Sequence, residues 1–351
     1  MSKKILLVLL FLLSSSVFAN LPYFPINFPR DAGAHYKNIP YQYDHLIEWW
    51  YFNGRVTTND GKHLSYDVAF FNSAINMGNI YTQPMLHIQV SDLDQHKSFG
   101  TAKTYSLGSG NLATDKLDIT LGDEYKLQEV KQNGKTVYLL KAVGNNLNYQ
   151  IKMDLVLEPI SQPLLINGNG LMPMSDTTNS YYYSIPRFKT SGQIKINDVV
   201  YEVKNEAGDT WSDHQWGDFD VEKNGWEWFS IRLENGLIAN IFLVVEFKSR
   251  HVVTGLANII LPNGETRFMP YKDFIVTRDN DWIDPKTSIH YPMTFNFKFP
   301  ELGLEMTNVA AFSEQQVNGY WEGYCNTSAI YNKQAVNGFS FAELVYETPV
   351  G

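Results

Sequence analysis

One short segment, Thr210–Phe219 (TWSDHQWGDF), combines titratable and aromatic side chains at a density that could support chemistry. It holds Asp213 and His214 between Trp211 and Trp216. Indole rings prefer burial, whereas carboxylate and imidazole groups are buried only when they are paired. Asp and His are also common general acids and bases. The segment indicates either a satisfied polar network in a core or a pocket where a ligand is bound or transformed, and both readings stay open.

The two faces of this segment follow from the alternation of side chains along a strand. Trp211, Asp213 and Gln215 share one face, while His214 and Trp216 share the other. We therefore predict that His214 and Trp216 line one cavity and that Trp211 and Asp213 point the other way. A carboxylate partner of His214 must then come from another strand.

Other strand-like segments each contribute one or two polar groups among bulky residues. Glu48 shares a face with Trp50, and Asp67 and His87 lie on segments further along the chain. Buried polar groups are normally hydrogen-bonded. A structural role is therefore favoured for a lone Asp67 or His87. For the adjacent Asp213–His214 pair, a structural role and a functional role are about equally favoured.

Motifs of several other chemistries are absent from the sequence. There is no HExxH and no pair of cysteines, and the eight His residues are scattered, so we predict no metal and no other cofactor. There is no GxSxG nucleophile turn, which disfavours a serine hydrolase. A formal net charge of −9 argues against nucleic acid or an anionic membrane surface as a partner.

The elements that must position these side chains are strands. Period-two runs rich in β-branched and aromatic residues recur along the chain, and turn pairs such as Asn133-Gly134 separate them. No long amphipathic helix is evident, so we predict an all-β sandwich or barrel. Pro159–Ser175, rich in Pro and Gly, cannot be a central strand and is a candidate domain linker or a loop that reaches across a barrel mouth.

The first nineteen residues predict export. A basic start is followed by the apolar run Ile5–Leu13, and Val17-Phe18-Ala19 fits a cleavage site. The mature chain would begin at Asn20 in the periplasm or outside the cell, and we expect a monomer. Because Cys325 is the single cysteine, stability in an oxidising compartment must come from packing.

Seven motifs occur in the order found in one family: EWWYFNG, PMLHIQVSD, YYYSIPRFKTSGQI, GDTWSDHQWGDF, GWEWFSIRLENG, YWEGYCN and FAELVYE. With them the mature chain resembles the AttH-like secreted proteins and the carotenoid 1,2-hydratase (hydroxyneurosporene synthase) superfamily. The resemblance implies two lipocalin-like antiparallel β-barrels side by side, which we divide at residues 20–188 and 189–351. Barrels of this kind can hold one small ligand.

The resemblance also implies roles for individual residues. His214 and Trp216 would face the substrate pocket as the catalytic pair, while Asp213 and Trp211 would be structural. The remaining ligand-binding candidates are Glu48, Trp50, His87, Tyr182, Gln215, Trp226 and Trp228.

One departure from the hydratase pattern concerns the following strand, Leu237–Phe247. It offers Asn240 and Glu246 but lacks the Tyr and the proton-donating Asp of that branch, which disfavours carotenoid hydration. The leading hypothesis is therefore an exported carrier of a hydrophobic molecule or lipid, for which an envelope ABC transporter would suit as partner. The alternatives are a hydratase- or cyclase-like lyase or isomerase, and a protein whose motif only locks two barrels together.

Overall fold

The computed structural model describes residues 24–36, 45–76, 80–174, 179–217, 224–247 and 249–346. The predicted signal segment 1–19 lies outside these residues. Within them the chain is all-β, as predicted, with four single-turn 3₁₀ helices at Arg30–Ala32, Ile166–Gly168, Tyr271–Asp273 and Pro300–Leu302. No helix in these ranges has the length and apolar character needed to cross a membrane.

The strands form two antiparallel sheets. The first contains β1 (His45–Thr58), β2 (His63–Asn76), β3 (Ile80–Asp92), β4 (Lys97–Thr104), β5 (Asn111–Leu112), β6 (Asp118–Leu121), β7 (Tyr125–Gln132), β8 (Lys135–Asn145), β9 (Gln150–Pro159), β10 (Leu164–Leu165), β11 (Leu171–Pro173), β12 (Asn179–Ile196) and β13 (Val199–Gly217). The second contains β14 (Asn224–Leu233), β15 (Ile238–Glu246), β16 (Val252–Ile260), β17 (Thr266–Pro270), β18 (Ile275–Ile283), β19 (His290–Phe299), β20 (Leu304–Ala310), β21 (Gln316–Val317), β22 (Tyr320–Tyr331) and β23 (Gln334–Val345).

The two sheets share one strand order. The first runs β4-β3-β2-β1-β13-β12-β9-β8-β7-β6-β5, and the second runs β17-β16-β15-β14-β23-β22-β20-β19-β18. In each, a four-strand meander is joined through its first strand to the last strand of the same sheet. The common order is consistent with a duplicated unit.

The change of sheet falls between Gly217 and Asn224. The predicted division at 188/189 does not coincide with it, because it lies inside β12. The Pro- and Gly-rich segment Pro159–Ser175 was the other candidate for a boundary. Instead this segment carries β10 and β11, which both pair with β12 in the first sheet.

Each sheet curls around its own apolar core, and we call the two curled sheets the first and second barrel. In the first, β8 crosses close to β3 and β4. Gly144 makes this approach feasible, since a Cβ there would lie 2.4 Å from Ile88 Cγ2 and 2.6 Å from Thr101 Cγ2. A third buried cluster lies between the sheets and includes Trp211, Tyr182 and Trp228. We call this contact between the sheets the seam.

Strands β1 and β13 separate the interior of the first barrel from the seam. They pair antiparallel, with Glu48 opposite Trp216 and Trp50 opposite His214. Trp50 and Trp216 belong to the core of the first barrel, whereas Tyr51 and Trp211 belong to the seam cluster. The alternation predicted for the motif therefore distributes its residues between two environments.

Candidate functional site

A buried polar network surrounds the motif histidine inside the first barrel. Glu48 Oε1 lies 2.8 Å from His214 Nε2 and 2.6 Å from His35 Nδ1. Glu48 Oε2 accepts a 3.0 Å bond from the backbone N–H of His35, whose Nε2 lies 3.2 Å from Asp31 Oδ1. The carboxylate beside His214 thus comes from β1, a different strand, as the alternation requires.

The hydrogen bonds assign the protons in this network. His35 faces two carboxylates, and their charges raise its pKa against the opposing effect of burial. Burial lowers the pKa of His214, while the hydrogen bond to Glu48 opposes this. The consistent arrangement is a doubly protonated His35, an ionised Glu48 and a neutral His214 whose Nε2–H donates to Glu48. Tyr183 then donates to His214 Nδ1 at 3.3 Å.

Aromatic rings fill the space around this network. Trp216 stacks on His35 with 3.8 Å between ring centroids and on Tyr181 with 5.3 Å. Trp50 stacks on His214 at 4.5 Å. The His214 face of the motif is therefore a packed core with paired polar groups, and a ligand would have to displace these rings to reach it.

The raised pKa of His35 predicts a pH-dependent contribution to stability. A group with a raised pKa in the folded state stabilises below its unfolded pKa, and this contribution is lost as pH rises through the folded value. The free energy of unfolding of wild type should exceed that of His35→Gln most at about pH 6, just below the ordinary pKa of His, and the difference should shrink as pH rises above neutrality. Urea unfolding across this range measures it, and a difference that is constant or grows with pH would contradict the assignment.

The opposite face of the motif strand lines an aromatic slot at the seam. Its walls are Trp49, Tyr51, Tyr182, Asp213, Gln215, Trp226, Trp228, Phe242 and Glu343. The free volume is about 10 Å³, close to that of one water molecule. Trp49 and Trp226 are the partly exposed members, and their rings stack 6.5 Å apart. An occupant larger than water must therefore displace side chains.

Asp213 is the most intensively bonded carboxyl of the slot. It accepts hydrogen bonds from Trp211 Nε1 at 2.7 Å, Ser184 Oγ at 2.5 Å and Tyr182 Oη at 2.7 Å. The Tyr182 hydroxyl in turn accepts from Trp228 Nε1 at 2.8 Å and Asn240 Nδ2 at 3.0 Å. Asp213 therefore ties β13 to β12 and, through Tyr182, to the second sheet.

Burial gives Asp213 an unusual protonation equilibrium. Loss of solvation raises its pKa to about 7, although its three hydrogen bonds oppose the shift and the nearby Glu343 adds to it. Burial likewise raises the pKa of Glu343 to about 7, and Trp226 Nε1 donates to this carboxyl. Two carboxyl groups that exchange protons near neutral pH thus share one aromatic slot.

A second histidine–carboxylate cluster lies at the seam beside the slot. Asp67 and His87 of the first sheet meet Glu322 of the second, and Glu322 pairs across strands with Glu343. His87 Nε2 lies 3.1 Å from Asp67 Oδ1 and 4.0 Å from Glu322 Oε2. Burial raises the pKa of both carboxyl groups.

A much larger cavity has another position and character. It has about 600 Å³ of free volume and lies near the far end of β1, around Arg55, Arg187 and Asp209. Arg187 and Asp209 form an ion pair there at 2.8 Å. Its charged, open walls suit water better than an apolar ligand. Cavity volume therefore does not locate the chemistry. Both faces of the motif strand are closed to a ligand as they stand, but the slot has two partly exposed rings, Trp49 and Trp226, whose displacement would open it from the surface.

The structure separates the predicted site residues into three places. His214, Trp216, Glu48 and Trp50 lie in the core of the first barrel. The slot brings together Tyr182, Gln215, Trp226, Trp228 and Asp213, with Trp211 against Asp213. His87 lies beside the slot, in the polar cluster with Asp67 and Glu322.

Several residues of these networks were not anticipated from the sequence. His35 and Asp31 precede the strands and gave no pattern. Glu343 and Glu322 lie within the motifs FAELVYE and YWEGYCN. An acidic residue inside an otherwise apolar strand is a signal that could have indicated them.

The comparisons with known proteins agree with this architecture. The AttH-like family model matches residues 20–346, so the chain belongs to the AttH-like family. No curated protein matches the sequence.

Solved structures share the fold at low identity. An AttH protein of Nitrosomonas europaea is 23% identical with a TM-score of 0.76, over 94% of this chain and 98% of that one. Kievitone hydratase of Nectria haematococca is 17% identical with a TM-score of 0.67, over 86% and 89%. CghA is 10% identical with a TM-score of 0.53, over 94% and 95%.

Proposed function

We propose that the protein is a hydratase- or isomerase-type enzyme that acts on a carbon–carbon double bond of an apolar molecule in the slot between its two sheets. The observation that carries the proposal is Asp213. Its carboxyl is buried, lines an aromatic slot and has a pKa of about 7. A general acid is most effective when its pKa lies near the working pH. The shared fold with kievitone hydratase supports the reaction class by analogy only.

The reaction requires one proton donor and one acceptor. In hydration, Asp213 would transfer its proton to one alkene carbon, water would add to the other carbon, and Glu343 would take a proton from that water. The sum is addition of H₂O, with one proton moved from Asp213 to Glu343. In isomerisation, the second proton would leave a neighbouring carbon instead.

The walls of the slot can stabilise both charges that form when Asp213 protonates the alkene, the cation on carbon and the carboxylate of Asp213. A cation that develops on carbon can be stabilised by the faces of Trp226 and Trp228, since aromatic faces attract positive charge. Trp211, Ser184 and Tyr182 donate to Asp213 and would stabilise the carboxylate left after proton transfer. This removes the difficulty raised by the strand Leu237–Phe247, because the acid comes from the motif itself and that strand supplies Asn240.

The substrate class follows from the walls. Indole and phenol rings bind flat, unsaturated hydrocarbon or phenolic molecules, and the polar groups are few. We also propose that the enzyme acts outside the inner membrane, on the basis of the predicted signal segment; intact mass of the chain recovered from the cell envelope tests this, with a start at Asn20 expected.

A ligand carrier is the second candidate. Three hydrogen bonds already occupy Asp213, and an acid fixed in this way is also what a purely structural carboxyl would show. In that case the slot would bind an apolar molecule without changing it.

The decisive experiment uses the full chain with an envelope lipid extract in H₂¹⁸O, followed by mass spectrometry. An enzyme should produce species heavier by one H₂¹⁸O, or isomers resolved by chromatography. Asp213→Asn should lower turnover by at least ~10²-fold. Asp209→Asn, on the same strand but outside the slot, is the matched control and should retain it.

Thermal unfolding of both variants establishes that they are folded. Retention of a lipid without conversion by wild type would favour the carrier. Conversion that persists in folded Asp213→Asn would contradict the assignment of the acid.

A further inference from the structure

We propose that Asp67, His87 and Glu322 form a divalent transition-metal site, of the kind that binds Zn²⁺, which links the two sheets across the seam. One ligand atom from each of these residues lies within 4.8 Å of the other two. The three residues are 2%, 2% and 0% exposed. Two carboxylates and one imidazole are ligands that Zn²⁺ and related ions accept, with water completing the coordination. The inference goes beyond the proposed function and does not depend on it.

Poorly satisfied polar atoms distinguish this cluster from an ordinary hydrogen-bonded network. His87 Nε2 and Asp67 Oδ1 face each other as an ion pair 3.1 Å apart, and both carboxylate oxygens of Glu322 are buried beside Asp67 and Tyr51, yet none of these four atoms forms a hydrogen bond of good geometry. Buried polar atoms almost always form well-directed hydrogen bonds, so four that do not, at one point, need an explanation. A bound cation would satisfy all of them at once.

The distances separate this cluster from the other His–carboxylate group of the protein. Two ligands about 2.1 Å from one ion, at about 90–110°, lie about 3.0–3.4 Å apart. His87 Nε2 and Asp67 Oδ1 are 3.1 Å apart, whereas Glu322 Oε2, at 4.0 Å from His87 Nε2, must approach by about 0.6 Å. In the first barrel, the 2.6 and 2.8 Å contacts of Glu48 with His35 and His214 are too short for shared ligation and fit hydrogen bonds.

The charges point in the same direction. In the described part of the chain, the ion pairs of Asp67 and Glu322 are all with His87, so no Lys or Arg compensates them. Glu343 adds a third carboxyl on the strand beside Glu322. A buried concentration of acid without a cation is costly, and a divalent ion would balance it.

A neighbouring side chain already orients one ligand. Gln89 Nε2 donates to Asp67 Oδ2 at 3.3 Å and to the backbone carbonyl of Glu322 at 2.6 Å. It thereby holds Asp67 with Oδ1 towards His87 and fixes the strand that carries Glu322. Such outer hydrogen bonds are typical of metal ligands.

The test uses the untagged full chain, stripped with a chelator and titrated with Zn²⁺, with Mn²⁺ in parallel. Calorimetry should give one saturable equivalent, and the melting temperature should rise, because an ion that binds the folded state stabilises it. Glu322→Gln and His87→Gln should each lose the saturable site and the metal-dependent rise. His63→Gln is the matched control, since His63 forms an exposed pair with Asp94, and it should retain both.

Three results would contradict the proposal. It would be overturned by wild type that binds no equivalent of either ion, or by binding that persists in folded Glu322→Gln. Loss of binding in His214→Gln, with retention in His87→Gln, would place the ion in the first barrel instead. The melting temperature of each stripped variant shows separately that it is folded.

Discussion

Replacement of Glu48 with alanine is expected to lower the free energy of unfolding by about 3–5 kcal/mol, the range found when one member of a buried charged pair is removed. Glu48 is fully buried and accepts from three donors: His214 Nε2, His35 Nδ1 and the His35 backbone N–H. Alanine would leave all three without an acceptor, beside a cavity. Each stranded donor alone carries a desolvation cost of about 1–3 kcal/mol.

Chemical denaturation of Glu48→Ala measures this, with Glu202→Ala as control. Glu202 lies on β13 of the same sheet but is exposed, so its removal should change the free energy of unfolding by less than about 0.5 kcal/mol. Glu48→Gln preserves the volume and should fall between the two. Comparable stability of Glu48→Ala and Glu202→Ala would refute the structural role of this network and would reopen the His214 face as a ligand site.

The two fully buried indoles of the motif should respond differently to phenylalanine. Trp211 Nε1 donates to Asp213, whereas Trp216 Nε1 is buried without a partner. Trp216→Phe removes an unsatisfied N–H together with some ring area, and these effects oppose each other. Trp211→Phe removes a donor from Asp213. We therefore expect Trp211→Phe to be the more destabilising by about 1–3 kcal/mol.

Trp216→Ala provides the reference for packing. Its ring lies between His35 and Tyr181, so the cavity should cost about 3–5 kcal/mol. Denaturant unfolding of the three variants gives the order Trp216→Ala, Trp211→Phe, Trp216→Phe, from the largest loss to the smallest. If the two phenylalanine variants lose equal stability, the hydrogen bond to Asp213 makes no net contribution.

Local features of the fold were predictable because their causes are local. Alternation indicated the strands, and the Asn133-Gly134 pair marks the turn between β7 and β8, where both residues have positive φ. The point where the chain passes from the first sheet to the second was not predictable from local sequence. Pro159–Ser175 has the composition of a linker, but pairing of its short strands with β12 keeps it within the first sheet.

The site was predictable only in part for a related reason. The period of two assigned His214 and Asp213 to opposite faces, and it required a carboxylate from elsewhere for His214. It could not identify Glu48 as that carboxylate, because the pairing of β1 with β13 joins residues 166 positions apart. Glu322 meets Asp67 only after two sheets have packed together, and no sequence period records that contact.

The motif strand has a consequence for how the family can vary. Trp211, Asp213 and Gln215 face the seam, whereas His214 and Trp216 face the core of the first barrel, so the two sets of side chains alternate along the strand. Insertion or deletion of a single residue here would exchange the two sets of side chains, so that Asp213 would enter the first barrel and His214 the seam. Length variation among homologues should therefore be confined to turns such as Asn133-Gly134, while the motif itself keeps its length even where its residues change.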